Sequence, residues 1–214
     1  ILLETTYEAL ENSGTPLASI RGQNVGVYVG ASMSDYNELF AKDPDTNLTY
    51  RITGTASNIL SNRLSYMFDL HGPSFTVDTA CSSSLAAFHL ACQSLKTGEV
   101  RQAIVGGAYL VLSPDPTIGM SKLRLYGEHG RSYTYDHRGT GYGRGEGVAS
   151  LILKPLQDAI DVGDTIRAII RNTGMNQDGK TNGITLPSKD AQESLIRSVY
   201  TAAGLDPLYT SYVE

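Results

Sequence analysis

A cysteine at a junction between a strand-like and a helix-like stretch is the residue best placed for chemistry. Cys81 lies in TVDTACSSSL, after the strand pattern of residues 75–77 and before a run of serines. The first turn of a helix leaves backbone N–H groups without partners, and these groups and the helix dipole favour a thiolate. The same N–H groups can hold an oxyanion when the sulfur attacks a carbonyl. The position therefore suits a nucleophile in acyl transfer.

Position alone leaves a second interpretation of Cys81 open, because many free cysteines are buried structural residues. That interpretation is the better one for Cys92, which lies in the apolar stripe of the following helix. The two cysteines have neither a CxxC motif nor paired histidines beside them, so no metal site is predicted. They also give little support for a disulfide framework, which favours a reducing, cytoplasmic setting.

A thiol nucleophile needs a base or a hydrogen-bonding partner, and the sequence contains 4 histidines. His89 lies on the same helix as Cys81, about 12 Å along its axis, which is too far. His71 precedes a Gly-Pro pair and fits a turn. His129 and His137 lie in a glycine-rich section and could approach the cysteine, but no spacing favours either. The sequence thus offers a nucleophile without an evident base.

Two glycine-containing stretches suggest ligand loops, but neither completes a motif. GYGRGEG (141–147) precedes a strand pattern and lacks both nucleotide-loop motifs, so backbone turns and close packing are the better interpretation. GMNQDGKTNGITLPS (174–188) carries Asp178 and Asn182 at a spacing that completes no calcium loop. It is predicted to be a polar surface or site-lining loop.

The bulk composition disfavours several classes of partner. The 214 residues carry a net charge of −5 without a cluster of Lys and Arg, which disfavours nucleic acid binding. No apolar run approaches the roughly 20 residues of a membrane span, so no membrane is predicted as a partner. No signal peptide is recognised, and a glycosylation sequon at 47–49 is therefore treated as chance.

The elements that must position Cys81 follow from apolar periodicity and from capping residues. Helices are predicted at residues 2–13, 59–67, 85–95, 155–160 and 190–203, and strands at 25–29, 75–78, 103–107, 148–153 and 165–172. Residues 31–50 are predicted to be loop with room for one helical turn, and 112–147 to be irregular. Asp190 and Glu193 are predicted to open the last helix as a capping box. The alternation predicts an α/β fold with a largely parallel sheet, in one domain incomplete at both ends.

The stretch DTACSSSL (78–85) resembles the active-site signature of β-ketoacyl synthases, and in particular of the ketosynthase domains of polyketide synthases. Six longer stretches resemble the same domain in the same order, so the resemblance covers essentially the whole chain. They are LLETTYEALENSG (2–14), VGVYVGASMSDY (25–36), GTASNILSNRLSY (54–66), GPSFTVDTACSSSLAAFHLACQSL (72–95), GRSYTYDHRGTGYGRGEGV (130–148) and NTGMNQDGKTNGITLPSKDAQ (172–192). The last two are similar to iterative, highly reducing synthases of filamentous fungi.

The resemblance implies a thiolase-like αβαβα layered fold that works as a homodimer. It implies that Cys81 accepts an acyl chain from the phosphopantetheine arm of an acyl carrier, with no cofactor bound directly. Two histidines would assist decarboxylation of a malonyl extender, and the resulting carbanion would attack the Cys81 thioester. Met120, by its distance after GGAY, resembles a position that lines the acyl pocket.

The chain departs from the family by being shorter at both ends, and we expect it to be a fragment. The first catalytic histidine of the family belongs to an HGTGT-like motif that is expected just beyond Glu214, with the second histidine and a lysine further on. We therefore expect residues 1–155 to be the nucleophile-bearing half and 156–214 the start of the second half. The isolated chain is expected to be inactive in condensation.

Three rival functions fit the residues less well. A plain thiolase shares the implied fold and a cysteine, but its nucleophile motif differs from DTACSSSL. A cysteine hydrolase needs His and Asn or Asp partners, which no spacing supplies. A non-catalytic ketosynthase-like subunit, which would act in dimerisation and chain-length control, commonly has the nucleophile replaced, and the presence of Cys81 disfavours it.

Overall fold

The computed structural model describes residues 1–42, 45 and 49–214. These residues form two compact units, Ile1–Pro155 and Leu156–Glu214. The sequon at 47–49 falls largely outside the described residues, so its interpretation as chance stays a prediction. No helix within the described ranges combines the length and the apolar character needed to cross a bilayer.

The first unit is built on a four-stranded sheet with the strand order β2-β1-β3-β4. The strands are β1 (Val25–Ala31), β2 (Ser74–Val77), β3 (Gln102–Tyr109) and β4 (Gly147–Leu153). β1 runs parallel to both β2 and β3, whereas β4 is antiparallel to β3. These strands confirm the four predicted for this region and the largely parallel sheet. The carboxyl ends of β1, β2 and β3 meet at one edge, which is where open α/β sheets place their ligand sites.

Helices cover both faces of this sheet. In chain order the helices of the first unit are α1 (Leu2–Ser13), α2 (Leu17–Ile20), α3 (Asp35–Ala41), α4 (Arg51–Thr55), α5 (Asn58–Phe68), α6 (Ser83–Thr97) and α7 (Pro114–Lys122), of which α1, α5 and α6 pack on the sheet. Gly14 and Gly98 end α1 and α6 in the left-handed conformation, with φ of 81° and 74°. Both glycines occupy the C-cap positions that the sequence predicted, because this backbone conformation is costly for residues with a Cβ.

Alternating residues of the central strands build a core on each side of the sheet. One cluster joins β1 and β3 to α1 and α5 through Val27, Val29, Ile104, Leu10 and Leu64. The other joins the same strands to α6 through Tyr28, Val105, Ala87, Ala91 and Cys92. The Cys92 side chain is 6% exposed, which confirms its predicted place in the core. Burial of apolar surface on both faces fixes the sheet between its helices.

Two segments of the first unit are more ordered than the sequence suggested. The predicted loop at 31–50 contains α3, and the irregular section at 112–147 contains α7. α7 has strong local signals, because Ser113 caps it and Pro114 occupies its first turn. None of its side chains is buried, however, so it lacks the apolar stripe by which a helix is predicted from sequence.

The second unit contains α8 (Leu156–Val162) and α9 (Lys189–Ala203), followed by a short 3-10 turn at Pro207–Tyr209. Two predictions for this unit are wrong. Residues 165–172 form no strand, because no other strand of the described unit supplies the hydrogen-bonding ladder that a strand requires. The cap of α9 is Ser188, whose hydroxyl accepts the Ala191 N–H at 3.2 Å, and Asp190 instead lies in the first turn.

Candidate active site

Cys81 lies in a tight turn between β2 and α6, and its side chain is exposed. The residue before it, Ala80, has a left-handed backbone with φ of 55°. A residue with a Cβ adopts this conformation only when surrounding contacts compensate its cost, and such strain concentrates at functional sites. The turn places Cys81 immediately before Ser82, the N-cap of α6, and leaves its side chain exposed, which suits a nucleophile.

Short polar side chains hold this strained turn in place. The Asp78 carboxylate accepts the Ala80 N–H at 2.8 Å. The Ser83 hydroxyl accepts the Thr79 N–H at 2.9 Å and donates to the Ala80 carbonyl at 2.6 Å. The serines after the cysteine in DTACSSSL thus have a structural role, because they form hydrogen bonds with backbone groups of the turn that make no hydrogen bonds within the sheet.

Paired glycines on the sheet let the start of α6 approach closely. Gly30 of β1 and Gly107 of β3 are direct partners across the parallel ladder. A Cβ on Gly30 would lie 2.3 Å from backbone atoms of Ser83 and Ser84, and a Cβ on Gly107 would lie 3.0 Å from the Ser84 Cβ. These two glycines therefore determine how closely the start of α6, and with it Cys81, approaches the carboxyl edge of the sheet.

A cavity of about 690 Å³ opens beside the sulfur. Cys81 and Met120 both line it, although 39 positions separate them in the sequence. Met33, Leu85 and Phe88 supply further apolar wall. A cavity of this size and character is suited to an extended hydrocarbon chain attached to the cysteine.

The polar part of the cavity wall comes from the stretch GYGRGEG, whose role in the site the sequence reasoning missed. Arg144 stacks its guanidinium over the Tyr109 ring, 4.0 Å from the ring centre, and Tyr142 lies beside it. Burial raises the pKa of Tyr142, and Tyr126 and Cys81 act in the same direction against the opposing effect of Arg144. No local signal could have found this pair, because Tyr109 lies 35 positions before Arg144 in the sequence.

The glycines of the same stretch confirm the close packing that was predicted for it. A Cβ on Gly141 would meet backbone atoms of Tyr126 and Gly127 within 2.6 Å. A Cβ on Gly143 would lie 2.4 Å from the Gly130 carbonyl oxygen. The stretch is thus a packed wall of the cavity.

None of the four histidines is among the described residues that line this cavity. His71 contacts the Asp69 carboxylate at 3.0 Å, and the side chain of His137 is 93% exposed. Burial, aided by Lys96, lowers the pKa of His89. Among the described residues, the wall of the cavity beside Cys81 therefore contains no histidine side chain.

In the second unit, the loop at 174–188 uses its polar residues to start α9. Asp178 accepts the Ser188 N–H at 3.1 Å, and the Asn176 side chain donates to the Ala191 carbonyl at 2.7 Å. Among the described residues, no group of His, Cys, Asp or Glu side chains is arranged to hold a metal ion.

Comparison with known families and proteins extends the resemblance to both units. Residues 1–159 match the family model for the β-ketoacyl synthase N-terminal domain, and residues 167–214 match that for the C-terminal domain. A highly reducing polyketide synthase of Talaromyces stipitatus is 56% identical over 216 residues, which cover all of this chain. A reducing polyketide synthase of Cochliobolus heterostrophus is 53% identical over the same extent. The chain spans only 8% of the length of either relative.

Solved structures give the same result for the fold. The ketosynthase from module 6 of the bacillaene synthase of Bacillus subtilis 168 matches the whole chain with a TM-score of 0.90 and 37% identity. The match covers 36% of that ketosynthase. The fold is therefore the α/β, thiolase-like fold that the resemblance implied. The chain belongs to the β-ketoacyl synthase family, and its relatives include the fungal highly reducing synthases that the sequence predicted.

Proposed function

We propose that this chain is the nucleophile-bearing part of a ketosynthase that forms carbon–carbon bonds by decarboxylative Claisen condensation in polyketide biosynthesis. One observation carries the proposal. Cys81 is exposed at the start of α6 and lines a largely apolar cavity that can hold a chain bound to the sulfur. Residues 1–155 supply the nucleophile, and residues 156–214 begin the second half of the domain.

The first chemical step is transfer of an acyl chain to Cys81. The sulfur attacks the carbonyl carbon of an acyl thioester on the phosphopantetheine arm of a carrier domain. The new C–S bond forms, and the arm leaves as a thiolate. The N–H groups of Ser82 and Ser83 donate to the Thr79 and Ala80 carbonyls, at 3.4 and 3.1 Å. The positive end of the α6 dipole is therefore the feature of the helix start that favours the oxyanion of the tetrahedral intermediate.

The second step joins two carbons. A malonyl thioester on the carrier loses CO₂, and the electrons of the broken bond attack the Cys81 thioester carbon. The C–S bond breaks, the cysteine is regenerated as a thiolate, and the carrier holds a β-ketoacyl chain. The family resemblance assigns this step two histidines, and no histidine is among the described residues that line the Cys81 cavity.

The remaining features of the proposal concern the surroundings of the site. Met120 lines the acyl pocket, since it shares the cavity with Cys81. The partners are an acyl carrier domain, malonyl and acyl thioesters, and a second copy of the domain in a homodimer. The phosphopantetheine arm belongs to the carrier and enters as part of the substrate. The two free cysteines favour action in the reducing cytoplasm.

Acyl loading tests the proposal in a complete ketosynthase domain that carries this sequence. An acyl carrier charged with a labelled chain is added, and peptide mass spectrometry locates the label. We expect the label on Cys81 and its loss in Cys81→Ala, while Cys92→Ala serves as the matched control that removes the other thiol. Label on Cys92, or label that persists in Cys81→Ala, would show that the proposal is wrong.

A further inference from the structure

α7 carries Met120 to the wall of the Cys81 cavity but is itself poorly anchored by apolar packing. None of the side chains of Pro114–Lys122 is buried. Most helices of globular proteins are held by an apolar face, and this face is missing from α7. The position of Met120 must therefore depend on contacts at the ends of the helix.

The strongest of these contacts comes from Asp35 in the first turn of α3. Its side chain is buried, with 4% of the residue exposed. One carboxylate oxygen accepts the backbone N–H groups of Leu112 and Ser113, at 3.1 and 3.2 Å. Ser113 is the N-cap residue of α7. A buried carboxylate that accepts two backbone N–H groups forms strong, charge-assisted bonds, so it fixes the start of the helix.

A second contact between the same helices is weaker. Lys42 pairs with Asp115 in the first turn of α7, but both side chains are about half exposed. Exposed ion pairs contribute little to stability. Asp35 is therefore the main polar link between α3 and α7 among the described residues.

α3 also borders the cavity at its own start. Met33, two residues before Asp35, lines the same cavity as Met120 and Cys81. Its backbone is left-handed, with φ of 68°. Because Asp35 ties the segment that holds Met33 to the helix that holds Met120, it fixes two apolar wall residues relative to each other.

We propose that Asp35 is a positioning residue that determines which acyl chains the cavity accepts, by holding the helix of Met120 against α3. The inference rests on the proposed function, since it assumes that the cavity receives a chain bound to Cys81. Loss of the Asp35 bonds frees α7 to move outward, which enlarges the space beside Met120. Long chains then gain access relative to short ones.

The test uses a complete ketosynthase domain that carries this sequence, with Asp35→Ala and Asp35→Asn as variants. Acylation of Cys81 is followed by mass spectrometry with butyryl and decanoyl thioesters of pantetheine, and the ratio of second-order rate constants is compared. We expect the decanoyl-to-butyryl ratio to rise about tenfold in Asp35→Ala, which is the lower end of discrimination in apolar pockets. Asp35→Asn keeps an acceptor oxygen but loses the charge, so its ratio should rise less.

Glu38→Gln is the matched control, because Glu38 is an exposed carboxylate in the first turn of the same helix. Its ratio should equal that of the wild type. In a Met120→Ala background, Asp35→Ala should leave the ratio unchanged, because the wall residue through which Asp35 acts is gone. General damage to the fold would slow both thioesters equally and would not move the ratio.

The outcomes separate this inference from the function on which it rests. If the wild type acylates Cys81 and neither Asp35 variant changes the ratio, the positioning role is wrong and the proposed function stands. If the wild type acylates Cys81 with neither thioester, both are wrong. If Asp35→Ala does not fold, Asp35→Asn decides. A decanoyl-to-butyryl ratio equal to that of the wild type then overturns the positioning role, and a raised ratio supports it.

Discussion

Replacing Gly30 with alanine places a methyl group where the backbone of α6 already lies. The new Cβ would lie 2.3 Å from the Ser83 carbonyl carbon and the Ser84 nitrogen, whereas ordinary contact begins at 3.4 Å. Both atoms belong to the backbone, so no side chain can rotate away. The start of α6 must then retreat by about 1 Å, because a close-packed interior has no spare space.

This displacement of α6 should lower both the free energy of unfolding of the domain and the rate of Cys81 acylation. Overpacking of this kind costs about 1–3 kcal/mol, and the reduced freedom of the unfolded chain returns about 0.4–1 kcal/mol. The balance of these two effects is a destabilisation of up to about 2.6 kcal/mol, and the 2.3 Å contact with backbone atoms favours the upper half of that range for Gly30→Ala. A displacement of about 1 Å at a reacting atom costs on the order of 100-fold in rate, so Cys81 acylation should fall by about that factor.

Two measurements on a complete ketosynthase domain check these values. Urea unfolding gives the change in stability, and stopped-time acyl loading gives the rate of acylation at Cys81. Gly54→Ala is the matched control, because a Cβ on this glycine of α4 meets nothing within 4 Å. It should preserve the rate and stabilise the helix by up to about 1 kcal/mol. A Gly30→Ala protein with unchanged stability and an acylation rate within about threefold of the wild type would refute the reasoning.

Three further predictions concern reactivity, specificity and pH. Iodoacetamide at neutral pH should modify Cys81 before Cys92 in the folded domain, because one thiol is exposed and the other is buried; equal rates would contradict the assignment of an activated cysteine. Met120→Phe should shorten the chains accepted, because volume is taken from the cavity, and an unchanged product-length distribution would count against the assignment. Burial lowers the pKa of His89 in the folded state, so between the two pKa values the unfolded chain binds a proton that the folded chain does not. The free energy of unfolding should therefore fall as the pH drops through about 6.5 towards the lower pKa of the folded state. Unfolding curves of His89→Gln should lose this acid-side decline, and an unaltered pH profile would exclude His89 as its source.

The elements of the first unit were predictable where local signals and burial agree. α1 and α6 have apolar stripes that end at Gly14 and Gly98, and β1 and β3 are apolar strands that become the centre of the sheet. α7 was not predicted, because an exposed helix has no periodic stripe of apolar residues in its sequence. Residues 165–172 were misread because an apolar, β-branched run becomes a strand only when a neighbouring strand completes its ladder.

The sequence by itself indicated Cys81 as the candidate nucleophile. A cysteine between an apolar strand and a helix, followed by small residues, is a candidate through its local position, because the start of the helix is its own chain neighbour. The tertiary structure alone decided the pocket around that sulfur. Met120 and Arg144 lie 39 and 63 residues from Cys81 and meet it only because β3 and β4 pair beside β1. Contacts between distant residues depend on the order in which the strands pair, and the residues around Cys81 do not encode that order.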